Sequence, residues 1–164
     1  DFVIITPFQT YSIGNINMFK NAKICLSRKG WTELMAPKYK NLPHDNRDMC
    51  IPRENLEYLL FDAWDRVVLL DDEDTVVNGV STFWSGVHHR ASISVKIEST
   101  KGTVIASDSF FYYENVEERW PIGINESMYE ALDSYQRVAE EVDILIPLYD
   151  PRIYEKHPNG KVAE

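Results

Sequence analysis

Long apolar runs are missing from this sequence, cysteine and histidine are scarce, and positive charge is in deficit. Each shortage excludes something. No apolar stretch approaches the roughly 20 residues that a membrane-spanning helix needs. No secretory signal pattern opens the chain. The first residue, Asp1, runs straight into a strand-like segment. That abrupt start reads as a cut, which leaves an upstream signal open, and a cytoplasmic location is the default expectation. The two cysteines, Cys25 and Cys50, lie far apart with no Cys-x-x-Cys pair, which excludes a disulfide framework and zinc-finger spacing. Cys25 sits in the apolar run Lys23-Ile24-Cys25-Leu26, as a buried structural thiol would. Against 26 acidic residues stand only 17 lysines and arginines, a net charge of -9. Neither a nucleic-acid backbone nor an anionic membrane is the expected partner of such a surface.

What is present suits a folded core. Hydrophobic residues make up 44% and charged residues 26% of 164 positions, enough for one domain over 1–164 without repeats or low-complexity segments.

Phe2-Val3-Ile4-Ile5-Thr6 is a β-branched run stopped by Pro7, as in a buried strand. A turn at Gly14-Asn15, a short helix over 16–20, a strand over 22–27 and a helical turn over 31–35 follow. Residues 36–52 carry Pro37, Pro43 and Pro52 among Asn, Asp and Lys, the composition of a surface loop or insertion. A short helix is expected over 54–61. Strands then follow over 67–70, 75–77 and 80–84, with Gly79 between the last two. Ile93, Val95 and Ile97 alternate with polar residues and join the strand 103–107 across Lys101-Gly102 as a hairpin. Ser127 and Glu130 fit a capping box, after which Ala131, Tyr135, Val138 and Val142 keep helical spacing. Ile144-Leu145-Ile146-Pro147-Leu148 closes the series, its proline implying an edge or strand end.

Several local sequences resemble the metallo-β-lactamase superfamily, especially its lactonase-like and hydrolase-like branch. They are Val3-Ile4-Ile5-Thr6, Ile13-Gly14-Asn15, Asn21-Ala22-Lys23-Ile24, the segment Trp84-Ser85-Gly86-Val87-His88-His89-Arg90-Ala91-Ser92, the strand 102–108 and the strand 144–150. The resemblance implies an α/β fold, an αββα sandwich, of which this chain supplies the C-terminal portion. It also implies metal ions held at strand ends by imidazoles and carboxylates, which bring the pKa of a bound water to about 7.

Residue by residue, the ligand positions are mostly replaced. The first motif falls on Pro7, Gln9, Tyr11 and Ser12, a later histidine on Ser85, and the last on Tyr149. The bridging aspartate persists as Asp108. Phe111 stands where some lactonases place a tyrosine that steadies the substrate. One good ligand is too few for a catalytic zinc, so no family-type metal site and no cofactor is expected.

Other candidates remain open. Adjacent residues on a strand point to opposite faces, so His88 and His89 form either a loop pair or a general base facing the old pocket. His44, Asp45, Asp48 and Cys50 in the proline-rich segment form either a solvated loop or a relocated metal site. Residues 71–74 are acidic and suit an exposed turn better than a calcium loop, and His157 reads as solvated. Tyr11, Asp108 and Tyr149 converge if the fold is right, with Gln9, Ser12 and Ser85 near enough to hydrogen-bond Asp108. That cluster is either a polar plug or a metal-free pocket for a small polar ligand, with Tyr149, Tyr11, Asp108, His88 and His89 as its catalytic candidates. Two functions follow. One is a non-catalytic subunit completed by a complementary chain or by the N-terminal half of the same domain. The other is a metal-free hydrolase of small esters, lactones or amide-like substrates.

Overall fold

The computed structural model describes residues 1–36 and 51–162. Its first sheet is parallel, in the order β1 (Phe2–Ile4), β2 (Lys23–Ser27), β3 (Val67–Leu70). The middle strand β2 is buried on both faces, which explains its unbroken apolar run. The second sheet has the order β4 (Glu73–Val77), β5 (Val80–Trp84), β6 (Ile93–Ser99), β7 (Gly102–Ser107), β8 (Ile144–Pro147). Strands β4 to β7 form an antiparallel meander, and β8 joins β7 in parallel. A parallel neighbour needs a long crossover, supplied here by α4 (Tyr113–Glu117) and α5 (Met128–Glu141).

Strand alternation fixes the layers. On β2, Ile24 and Leu26 point to one face and pack with Phe8, Ile13, Ile51 and Leu59. That face is covered by α1 (Thr10–Ile13), α2 (Arg28–Met35) and α3 (Arg53–Glu57). Cys25 points the other way, to Leu70 and Ile93 between the sheets. The far face of the second sheet presents Phe83, Ile105 and Leu145 to Val116, Ala131, Tyr135 and Val138 of α4 and α5. Helices, sheet, sheet, helices is an αββα sandwich.

Several sequence expectations shift. The helix expected over 16–20 is a 3-10 turn at Ile16–Met18, preceded by the unforeseen α1. The helix expected over 54–61 is α3 followed by a π-turn at Tyr58–Asp62. Of the segment expected as a surface loop, Ile51 is fully buried, while 37–50 lie outside the described residues. Half of the capping box forms: the Ser127 hydroxyl accepts the Glu130 amide at 3.3 Å. The Glu130 carboxylate turns to Arg90 instead, at 2.9 and 3.1 Å. A paired guanidinium–carboxylate bond is stronger than one to a neutral, solvated amide. The acidic run is also not a bare turn, since Glu73 and Asp74 belong to β4. Asp71, Asp72 and Glu73 pair with Arg28, Lys29 and Arg137.

Helix α2 begins where the Ser27 hydroxyl accepts the Gly30 amide at 3.2 Å, an N-cap that satisfies one orphan donor. Gly30 then abuts the loop before β6: a β-carbon there would lie 2.3 Å from Ala91 Cβ. Gly30→Ala is therefore expected to destabilise the protein by about 1–3 kcal/mol. Gly14, where a β-carbon meets nothing within 4 Å, is the control. Its backbone is right-handed helical, so Gly14→Ala should be neutral or mildly stabilising. Urea unfolding midpoints of the two variants provide the check.

Candidate functional site

At one end of the sandwich both sheets deliver side chains to Asp108, which follows β7 and is completely buried. Thr6, just past β1, reaches across from the other sheet. Its hydroxyl accepts the Ile93 amide at 2.9 Å. The single hydroxyl proton lies between two acceptors, the Ile93 carbonyl at 2.8 Å and Asp108 Oδ1 at 3.0 Å. On the other oxygen, Ser92 Oγ donates to Oδ2 at 3.0 Å and His88 Nδ1 lies 3.1 Å away. A buried carboxylate is tolerated only when hydrogen-bonded or paired, and here both oxygens have partners.

Above this layer lies an aromatic rim. The His88 side chain, 11% exposed, meets the Phe111 ring edge-on at 5.0 Å. Phe111 in turn packs edge-on against Tyr149 at 4.7 Å. The Tyr11 hydroxyl is 3.5 Å from His88 Nδ1. The His89 ring lies tilted against His88, with centroids 4.1 Å apart, and 6.3 Å from the Tyr11 ring. Tyr11 and Tyr149 are about half exposed, at 54% and 47%, so they form the rim and not the floor.

The electrostatics follow from this layering. Burial, together with the negative Asp108 beneath, pushes both the Tyr11 and Tyr149 hydroxyls above the ordinary phenol value. They remain proton donors at neutral pH. Burial and the neighbouring His88 ring bring His89 down to about 4, so its imidazole is neutral there.

The five candidate residues Tyr11, His88, His89, Asp108 and Tyr149 are thus gathered in one place. The histidines do not sit on a strand with opposed side chains. Their loop turns through Gly86 and Val87, both at positive φ (58° and 66°), and both imidazoles emerge on one side. Positive φ is strained for a β-branched residue, but Val87 is held by complete burial. The residues expected to hydrogen-bond Asp108 do other work. Gln9 and Ser12 cap α1, and Ser85 bonds Ser109 at 2.7 Å. Thr6 and Ser92 take that role, and sequence reasoning missed them. The available signal was position: Thr6 lies just beyond the C-terminal end of a parallel strand, where sites in α/β folds gather. The group around His44 lies outside the described residues. Among the described residues, no three or more His, Cys, Asp or Glu side chains converge as metal ligands would.

The sequence matches no protein-family profile and no curated protein. Its structure resembles solved hydrolases. One is an N-acyl homoserine lactone hydrolase with N-hexanoyl-L-homoserine at its catalytic metal centre, at TM-score 0.70 and 18% identity, covering 94% of this chain and 58% of that one. Another is an AiiA variant from B. thuringiensis with N-decanoyl-L-homoserine at its active site, at 0.69, 18%, 94% and 58%. A probable metal-dependent hydrolase from Staphylococcus aureus follows at 0.66, 17%, 84% and 48%. The chain thus spans a little over half the length of the lactone hydrolases. At these identities the likeness establishes the fold alone, the one that these lactone hydrolases share.

Two outcomes are expected from the cluster. Thr6→Val keeps the shape but strands the Ile93 amide and one Asp108 oxygen. It should destabilise the fold by about 1–3 kcal/mol in equilibrium unfolding. For His89, the folded value near 4 lies below the ordinary 6.5, so the unfolded chain takes up the proton first. Stability should then fall as pH drops from about 6.5 towards 4. Asp150, held at about 2 by Arg152 against an ordinary 3.8, contributes its loss only at lower pH. Thermal melts of His89→Gln should show a flatter profile above pH 4.5; an unchanged slope would remove His89 as its source.

Proposed function

We propose that this chain is a metal-independent module of the lactonase-type fold, non-catalytic by itself and completed by a second polypeptide segment. The observation that carries this reading is the saturation of Asp108. The carboxylate accepts from Thr6 and Ser92 hydroxyls and lies beside His88 Nδ1. Donor chemistry bears on whether metal ions fit among these groups. Threonine and serine hydroxyls are poor ligands for zinc-like ions, which take imidazole, thiolate and carboxylate. Asp108, His88 and His89 alone among the gathered groups are of that kind, and among the described residues no three such side chains converge as ligands would, so the described residues do not fit a dinuclear centre. The Thr6 hydroxyl instead ties the first sheet to the second at this end, through Ile93 and Asp108.

Completion by another segment is supported by surface chemistry. Around the first sheet, Met18, Phe61 and Trp64 are 72%, 78% and 58% exposed. On the described residues β1 pairs only with β2, leaving its outer edge unpaired. Exposed apolar side chains and open strand edges both favour a protein partner.

One observation favours a second reading, a metal-free hydrolase of small esters, lactones or amide-like substrates. Asp108 orients His88 through Nδ1, and two phenols that keep their protons stand at the rim. An imidazole so held has Nε2 available as general base, and tyrosine hydroxyls can donate to a carbonyl oxygen.

Elemental analysis and native mass spectrometry of the protein purified without chelators separate these readings. The expected result is substoichiometric metal, thermal stability unchanged by EDTA, and a mass above the 19.1 kDa of the chain because a second polypeptide is held. One or two equivalents of zinc or a similar ion would overturn the proposal, as would a stable monomer. Ester or lactone hydrolysis that survives EDTA and drops at least tenfold in Tyr149→Phe would transfer the conclusion to the second reading.

A further inference from the structure

A second concavity lies away from Asp108, on the outer face of the second sheet. It is enclosed by α4, the C-terminal end of α5, the start of β8, and α6 (Ile153–Lys156). Asp108 and its partners take no part in it. Its volume is about 370 Å³, within the range of small-molecule sites. Val116, Val142 and Leu145 give it apolar walls, and its polar groups are Tyr113, Glu117, Asp143, Lys156 and His157.

Tyr113 and Lys156 are two donors there that no strong partner holds. Asp143, also at the wall, accepts the Thr103 amide at 2.7 Å. Arg152, near the Tyr113 ring, is held by Asp150 at 2.6 Å and by Glu114. Lys156 has only a loose ion pair with Glu117 at 3.9 Å, both side chains about half exposed; such pairs hold weakly. Its ammonium rests 3.5 Å from the centre of the Tyr113 ring. Tyr113 itself is 3% exposed, and its hydroxyl has no hydrogen-bond partner among the described residues. Buried polar atoms are nearly always satisfied, so an orphan demands an explanation.

We propose that this cavity is a binding site for a small monocarboxylate with an apolar body, such as a short fatty acid or an arene carboxylate. The body lies against Val116, Val142 and Leu145. The carboxylate accepts from the Tyr113 hydroxyl and pairs with Lys156, whose flexible side chain lifts from the ring to admit it. Burial pushes the Tyr113 hydroxyl up, so it stays a donor. Of the carboxylates at the wall, Asp143 is held by the Thr103 amide and Glu117 reaches Lys156 only across 3.9 Å; a bound carboxylate replaces Glu117 as the partner of Lys156 and accepts from the Tyr113 hydroxyl, which an alcohol does without charge and an ammonium cannot do.

The test is titration of the purified protein with hexanoate and benzoate, followed by NMR, with hexanol and hexylamine as controls. Saturable binding is expected for the carboxylates, at least roughly tenfold tighter than for hexanol, the worth of a charge-assisted bond. Lys156→Met should remove that preference. Tyr113→Phe supplies the second readout: because the hydroxyl is unpartnered in the free protein, its loss should leave the melting temperature unchanged or higher while weakening carboxylate binding roughly tenfold. Three results would overturn the proposal. They are no saturation by either carboxylate, equal affinity for hexanol, or a Tyr113→Phe protein that melts lower yet binds as before. None of these variants touches the Asp108 cluster, so failure here is distinguishable from failure of the proposed function.

Discussion

The carboxylate of Asp108 is the fixed point on which the two sheets are registered at the site end. It is fully buried and therefore needs strong hydrogen-bond donors. It obtains them from two stretches far apart in sequence: Thr6 after the first strand of one sheet, and the loop before β6, which supplies both His88 and Ser92. Thr6 adds a backbone tie by hydrogen-bonding Ile93. The apolar contact between the sheets is small, built around Cys25, Leu70 and Ile93. A polar clasp at the edge of so small a core carries more of the sheet-to-sheet alignment than it would beside a large one.

This arrangement also explains the rim. His88 is held at Nδ1 by the carboxylate, and its ring supports Phe111, which supports Tyr149. The exposed phenols stand on a stack whose base is the buried aspartate. Burial and that same negative charge keep both tyrosines protonated. The chemistry offered at the surface is therefore hydrogen-bond donation with neutral imidazole at His89, whichever use is made of it.

Much of the fold was legible in the sequence, because alternation and β-branched runs report burial directly. Ile93 to Ile97, the hairpin across Lys101-Gly102 and the amphipathic α5 stand where their patterns placed them. What escaped was decided by tertiary partners. Glu130 has the spacing of a capping box but prefers Arg90. The histidine pair lies in a loop, one of the two placements its sequence allowed, but that both rings emerge on one side follows from the turn at Gly86 and Val87. At the site, the gathering of Tyr11, Asp108 and Tyr149 was legible through resemblance to the lactonase-like branch. The hydroxyls that hold Asp108 were not, since Thr6 and Ser92 are ordinary residues whose role exists only where two sheets meet.

The contact between Gly30 and Ala91 gives that loop a second reference. Helix α2 lies against it with no room for even one methyl group, and the same loop carries both imidazoles two and three residues before Ala91. The loop is thus clamped between a carboxylate on one side and a helix backbone on the other. Its geometry can be retuned from behind, by changes in how α2 seats, without altering any residue that touches the cluster. A fold with such a back-side adjustment can drift in function while its polar core stays constant.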